Sequence, residues 1–416
     1  MDAVVGSPAQ KGSELVKPSN DLSASKELNK PDFLVPPVMD RATLEKMMHY
    51  CLENKADDLI LLEGAPWSLI WSERVVRVGE PDRRMTYEEL GNLLCDMTGN
   101  PNAKLDISLG NDRDFSYALP VGRIKSVRFR CNATGCLGSR GGQGLEIVMR
   151  PSGKVPPTMW ELGLPDYIIN AALPKTGLIL VCGPTGSGKT TLLDSIMRAH
   201  ATDPMGKHIL TYYAPIENDL NAIPDVTGLI AQCDIGDSGY GAHLKTFAEA
   251  TRNSLRRHPM VIAYGEARDR ETIEGAVLSA MTGHVTYTTT HTSNTHMAIP
   301  RMSDMFSGGD RVRVSNGLID NSRLIVHQRL VRRASGIGRA PIRSALALTQ
   351  DIRAELLRTP VDLLPHAIFE ATNSMGLGLL EDAERQFKAG VIHQEELDSI
   401  EQEMKMEKRN LDHASH

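Results

Sequence analysis

The 416-residue chain has no apolar run near the roughly 18–20 residues of a membrane-crossing helix, so no helical membrane span is expected. Its opening, "MDAVVGSPAQKGSELVKPSN", lacks a basic stretch followed by an apolar one, so no secretory signal is expected there. Cysteine is sparse. The six, Cys51, Cys95, Cys131, Cys136, Cys182 and Cys233, are scattered. Cys131 and Cys136 lie close together, but no second Cys or His pair completes a zinc pattern. Reduced, mostly buried thiols and a cytosolic location are the expectation. A basic excess is missing too: the formal net charge is −6, so no global field favours nucleic acid. What remains, 41% hydrophobic and 24% charged residues, suits a globular protein of two or three domains.

Residues 1–30 are rich in Ser, Lys, Pro and Asn and have little to bury, so they read as a disordered tail or a partner-binding arm. Residues 31–152 read as an α+β domain. "RATLEKMMHYCLEN" has helical periodicity, while "DDLILLEG", "SLIWSERVVRVG" and "GLEIVMRP" read as strands. "TYEELGNLLCDM" opens with a capping box, Thr86 and Glu89, and predicts an amphipathic helix. The proline- and glycine-rich "PSGKVPPTMWELGLP" (151–165) marks a linker, drawn over 153–175. Beyond it, over 176–345, the apolar run "TGLILVCG" and the further strand candidates "HILTYY", "MVIAYGE" and "VTYTTTH" alternate with helical stretches such as "KTTLLDSIMRAH" and "DRETIEGAVLSAMTG". That alternation predicts an α/β core with a parallel sheet. From about 343 the pattern turns helical, giving a C-terminal region over 346–416: "RSALALTQDIRAELLR", "LLEDAERQFKAG" and a charged, solvated "HQEELDSIEQEMKMEKRN".

"GPTGSGKT" (183–190) fits G-x-x-x-x-G-K-[ST] directly after one predicted strand and directly before a helix, the context a phosphate-binding loop requires. Gly183, Pro184, Thr185, Gly186, Ser187, Gly188, Lys189, Thr190 and Thr191 form the candidate nucleotide cradle. Gly186 and Gly188 let backbone N–H groups turn toward phosphate, and the following helix adds its positive end. Lys189 neutralises the β/γ-phosphates and the Thr190 hydroxyl ligates Mg²⁺. The nucleotide is therefore a triphosphate.

Three strand ends offer further chemistry. "MVIAYGEARD" carries Glu266 to the edge where the loop opens, where a carboxylate holds Mg²⁺; an ion pair with Arg268 is the plainer alternative. "TGHVTYTTTHTSN" ends in His291, whose imidazole can donate to a γ-phosphate, although lone histidines are often structural; His284 is open to both readings. Glu217, past the strand "HILTYY", can face the γ-phosphate and orient or deprotonate the attacking water.

In order and spacing, "GPTGSGKTTLL", "YAPIE", "LRRHPMVIAYGEARDRETI" and "AMTGHVTYTTTHT" resemble the secretion ATPases of the PilT/GspE superfamily, the hexameric motors of type II and IV secretion, conjugation and pilus retraction. The likeness extends upstream through "VRFRCNATGC" and covers residues 40–345. "FRCNATGC", "LTQDIRAELL" and "AERQFKAGVI" are similar to the DotB/TraJ branch of type IVB secretion and IncI-like plasmid transfer. The resemblance implies a RecA-like P-loop NTPase core, a PAS-like N-terminal α+β domain and a helical C-terminal extension. It implies ATP and Mg²⁺, a homohexamer, and a cytoplasmic protein peripheral to the inner membrane. Its partners would be membrane components of a secretion or conjugation complex, its cargo effector protein or relaxosome DNA. By position, Lys189 and Thr190 bind phosphates and Mg²⁺, Glu217 is the general base or water-positioning acid, Glu266 is the Walker-B acid, and His284 and His291 form the His box. Arg128, Arg130 and Arg150 are candidates to approach the nucleotide, plain ion pairs being the alternative. Arg256 and Arg257 are equally open to a structural role. One departure stands out: the family's Glu-Asp-Pro-Ile-Glu box is here Tyr213-Ala214-Pro215-Ile216-Glu217, and only its last acid survives. Glu217 and Glu266 are expected to suffice.

Two other classes compete. The basic run "HQRLVRRASGIGR" (327–339) leaves room for a helicase or DNA translocase, against a β-hairpin or interface loop. A small-molecule kinase would need a lid and an acceptor pocket, and neither is readable.

Overall fold

Two sheets organise the chain in a computed structural model that describes residues 31–71, 74–122, 125–152, 155–236, 242–336 and 338–414; the stretch 1–30, read above as a tail, lies outside the described residues. The first sheet is built from β1 (Asp58–Leu62), β2 (Ser68–Trp71), β3 (Arg74–Arg77), β4 (Arg113–Val121), β5 (Lys125–Leu137) and β6 (Gln143–Ser152). Its order is β3-β2-β1-β6-β5-β4, antiparallel throughout. Helices α1 (Arg41–Glu53), α2 (Tyr87–Thr98) and α3 (Ala103–Ser108) accompany it. The predicted capping box opens α2: Glu89 N donates to Thr86 Oγ1 and Thr86 N donates to Glu89 Oε2. Alternate residues of β5 and β6 take opposite faces. Phe129, Cys131, Ala133, Leu145, Ile147 and Met149 pack with α1 and α2, which leaves Arg128, Arg130 and Arg150 on the other face, with Arg130 directly opposite Arg150.

The second sheet comprises β7 (Gly177–Cys182), β8 (His208–Tyr213), β9 (Leu229–Asp234), β10 (Val261–Tyr264), β11 (Val285–Thr290), β12 (Ser322–Arg332) and β13 (Arg339–Ala347), in the order β13-β12-β7-β11-β10-β8-β9. Every pairing is parallel except the β12–β13 hairpin. Helices α4 (Asp166–Ala171) and α5 (Lys189–Ala201) cover one face. Helices α6 (Phe247–Ser254), α7 (Arg270–Met281), α8 (Ala298–Ser303), α9 (Gly308–Asn321), α10 (Gln350–Arg358) and α11 (Leu364–Met375) cover the other. With both faces buried, alternation is not needed, which is why β7 and β10 read as continuous apolar runs. Each fully buried Leu, Ile or Val there contributes roughly 1.5–3 kcal/mol.

The linker stretch is anchored early. Met159 and Leu164 are buried among the residues that pack α5 onto the sheet, and Arg198 Nη1 of α5 donates to the Pro156 carbonyl at 2.7 Å, so the stretch is held from Pro156 onward. The helix expected from Arg343 begins only at Gln350. Arg343–Ala347 belong to β13, because the edge of β12 pairs each of them within a nine-pair antiparallel ladder that outweighs the helical preference of Ala and Leu. Two more helices, α12 (Leu379–Lys388) and α13 (Gln394–Ala414), follow. Leu379, Ala383, Ile392 and Ile400 bury against Val331, Ala340 and Ile342 of the hairpin, so α13 is solvated on one side only. No described helix is long and apolar enough to cross a membrane.

Candidate nucleotide-binding site

Strand β7 is buried at every residue and hands the chain to the loop 183–188 and then to α5. That loop is held closely from behind. A Cβ on Gly183 (φ 153°) would stand 2.2 Å from the Gln328 carbonyl oxygen, and one on Gly188 (φ 81°) 2.9 Å from Gln328 Nε2, so both positions require glycine. Gln328 Nε2 donates to the Ser187 carbonyl at 2.7 Å, and Arg343 Nε donates to Gln328 Oε1 at 2.8 Å. Helix α5 starts without a side-chain cap, which leaves first-turn N–H groups to the loop. Lys189 is buried, and its Nζ donates to the carbonyls of Gly183 (2.9 Å) and Pro184 (3.0 Å). Burial lowers its pKa, opposed by Glu266, Cys182 and Glu217. Uncapped N–H groups and a desolvated ammonium around one loop are what a phosphate needs.

Because β7, β8, β10 and β11 are parallel, the residues just past their C-terminal ends fall along one edge of the sheet. The loop follows β7, Glu217 follows β8, Glu266 follows β10 and His291 follows β11. His291 Nε2 is 3.5 Å from Glu266 Oε1, so the partner of Glu266 is His291 rather than Arg268. His291 Nδ1 is 3.4 Å from Lys189 Nζ and 3.4 Å from Thr185 Oγ1. An ammonium only donates, so Nδ1 accepts and the ring proton sits on Nε2, toward Glu266. Thr190 and Thr191 are half-buried on the first turn of α5. His284 precedes β11 and so lies at the opposite edge. Its Nδ1 is 3.1 Å from both the Ser279 carbonyl and Thr282 Oγ1, contacts that close the end of α7. Arg256 and Arg257 precede β10 at that same far edge, where Arg257 donates to Asn253 Oδ1.

The three candidate arginines separate. Arg130 Nη1 is 3.2 Å from Glu217 Oε1, joining the first sheet to the edge of the second. Arg128 pairs with Asp234 at 3.7 Å. Arg150 is committed within its own sheet, to both oxygens of Asp58 at 2.8 and 2.9 Å. Sequence reasoning missed Asp194, Asp234, Gln328 and Arg343. Asp234 is the last residue of β9, at the sheet edge that Glu217 reaches just past β8, and that position is its only signal. Gln328 lies inside the basic 327–339 run, which belongs to the β12–β13 hairpin weighed above against a nucleic-acid contact, and part of its charge is taken up because Arg329 pairs with Glu403 at 2.7 Å.

Fold and edge together define the class: an α/β protein of the P-loop type, with a second, antiparallel sheet presenting arginines to the loop edge. Residues 160–365 match the family model described as type II/IV secretion system protein. The twitching motility protein of Neisseria gonorrhoeae is 30% identical over 292 residues, 69% of this chain and 73% of that protein. The X-ray structure of the Legionella pneumophila ATPase DotB superposes with a TM-score of 0.81 at 31% identity, covering 90% of this chain and 99% of that one. The pilus retraction motor PilT, crystallised with bound ADP, does so at 0.70 and 28% identity, covering 85% and 95%. The chain belongs to the type II/IV secretion ATPase family. Its antiparallel N-terminal sheet, parallel P-loop sheet and C-terminal helices follow the DotB and PilT architecture.

Proposed function

We propose that the protein is a hexameric ATPase that powers export through a type IV, IVB-like, secretion or conjugation system from the cytoplasmic face of the inner membrane. The observation that carries this reading is the meeting of Lys189, Glu217, Glu266 and His291 at one sheet edge, with an arginine of the other sheet bonded to Glu217. The likeness to DotB, described as an ATPase, and to PilT, described as a retraction motor that holds ADP, supports both the nucleotide and the motor role.

Residues 183–191 cradle the phosphates, and Lys189 leaves the carbonyls of Gly183 and Pro184 for the β/γ-phosphate oxygens. The donor set suits Mg²⁺: the Thr190 hydroxyl and the Glu266 carboxylate are hard oxygen ligands at the mouth of the loop. Bound Mg²⁺ supplies neutralisation of phosphate charge. Glu217 takes the proton of the attacking water or orients it once Arg130 lets go, and Arg130 is then free to meet the phosphates. His291, between Lys189 and Glu266, reports the state of that site to β11. Movement of the first sheet against the second, about the 151–165 linker, carries the work outward. Docking partners are membrane components of the export complex, and the cargo is effector protein or relaxosome DNA.

The test is a pair of variants. Glu217→Gln is expected to bind ATP with unchanged affinity and to stop hydrolysis; Lys189→Ala is expected to lose ATP binding and export while still assembling. Hydrolysis by Glu217→Gln at the wild-type rate would remove Glu217 from its role.

A further inference from the structure

Both ends of the segment that carries Glu217 are tied to one buried carboxylate on the helix that starts with Lys189. Asp194 lies on α5, fully buried. Its Oδ1 accepts from the Tyr213 hydroxyl at 2.6 Å and its Oδ2 accepts from Asn218 Nδ2 at 2.6 Å. Tyr213 is the last residue of β8 and is buried; Asn218 directly follows Glu217. The middle of the segment is held from β9, where Asp234 Oδ1 accepts from Ile216 N at 2.6 Å. Gln232 Nε2 donates to the Asn218 carbonyl at 3.0 Å. Glu217 itself is left half-exposed at the edge, projecting from a backbone with little freedom.

A fully buried carboxylate is expensive, and an apolar side chain would fill the inner face of α5 without that expense. What Asp194 alone supplies is two acceptors in a fixed plane, reaching one group on each side of Glu217. The same helix presents Lys189 and Thr190 to the phosphates, so one rigid rod carries both the phosphate-binding end and the bracket of the catalytic loop.

We propose that Asp194 is a positioning residue for hydrolysis, setting the separation between Lys189 and Glu217 so that the water at Glu217 stands in line with the phosphate at Lys189. This rests on the reading of Glu217 given above. Geometry of this kind acts on turnover: displacement of a general base by about 1 Å costs on the order of 100-fold, with ground-state binding little affected. Burial, against the hydrogen bonds of Tyr213 and Asn218 and with Glu217 raising it further, pushes the Asp194 carboxyl up to about 7. Tyr213 from β8, Asn218 and Glu217 are the groups that face it, so the bracket has an acidic limb of its own.

The experiment measures ATP turnover and, separately, ATP affinity for the full-length chain. Asp194→Ala is expected to lower kcat by about tenfold or more and to change ATP affinity less than about threefold. Asp194→Asn keeps an acceptor for Tyr213 and can donate to Asn218 after its amide turns over. It is expected to restore most of kcat at pH 8 and to flatten the fall in kcat between pH 8 and 6. Tyr213→Phe removes one hydroxyl and decides the matter if Asp194→Ala fails to fold; it is expected to lower kcat alone. Wild-type kcat in Tyr213→Phe, with Glu217→Gln inactive, overturns the bracket and leaves Glu217 in place. Equal losses of kcat and ATP affinity in Tyr213→Phe also overturn it. Wild-type hydrolysis by Glu217→Gln overturns the underlying reading instead.

Discussion

A carboxyl group sealed from water holds its proton longer, and in this fold the effect has opposite signs at different residues. Burial raises Asp194 from 3.8, and Glu407 from 4.5, to about 7. The folded state therefore binds more protons than the unfolded chain between pH 4 and 7, and these two groups contribute stability that is present below pH 4 and lost as pH rises to about 7. Burial lowers His200 and His327 to about 3 and His296 to about 4. Those three contribute stability that is present above pH 6.5 and lost as pH falls toward 3–4. A single substitution separates the two families. Asp194→Asn removes one buried charge, so its stability relative to wild type is expected to grow by about 2–3 kcal/mol from pH 5 to pH 8. Denaturant titrations at the two pH values check this, and a difference that shrinks with pH would contradict it. At this scale the sequence was partly legible. Lys189 and Thr190 follow from spacing, because the loop's chemistry depends on a contiguous string. Asp194 was not legible, because a carboxylate on a helix face says nothing of the Tyr213 hydroxyl 19 positions away.

At the scale of elements, the β12–β13 hairpin does more than close the sheet. Gln328 of β12 supports the phosphate loop at Ser187, Arg343 of β13 supports Gln328, and Asp382 of α12 accepts from Arg343 N at 2.8 Å. Arg343 is only 1% exposed. Gln328→Leu fits the space but leaves the Ser187 carbonyl and Arg343 Nε without partners, and is expected to cost about 2–4 kcal/mol. The same change should weaken ATP binding, because the loop loses its backing. Unfolding curves and nucleotide titration together test this; a stability loss with unchanged affinity would confine the hairpin to a structural role. Strand existence was readable here wherever the run was apolar or rich in β-branched and aromatic residues, as in β7, β8, β10 and β11. The second half of β13 was not, since "RSALA" suits a helix locally and becomes a strand only because β12 offers an edge.

Across the whole molecule, the two sheets meet at Arg130–Glu217 and Arg128–Asp234. The first pair is about 40% exposed on both sides, so its removal should change stability by less than about 1 kcal/mol. Turnover should respond far more. Arg130→Ala is expected to lower kcat about tenfold or more with melting unchanged, since the proposed site loses the cation that the first sheet brings to Glu217. Arg150→Ala serves as the contrast: its guanidinium is bound to Asp58 inside its own sheet, so it should affect folding of that sheet more than turnover. Equal kcat in wild type and Arg130→Ala would dissociate the sheet contact from catalysis.

The amino-acid string by itself determined the candidate phosphate loop, the capping box of α2, the parallel α/β character of the second half and the family to which it bears resemblance. All of these depend on residues adjacent or a few positions apart, where spacing is chemistry. It also singled out Glu217, Glu266 and His291, because each closely follows a predicted strand. Only the tertiary structure decided which of them meet. Parallel pairing of β7, β11, β10 and β8 puts three strand ends beside the loop and sends His284 to the far edge. Antiparallel register in the first sheet aligns Arg130 with Arg150, yet side-chain partners give one to Glu217 and the other to Asp58. Those choices are long-range, set by which surfaces are buried together, and no local pattern encodes them.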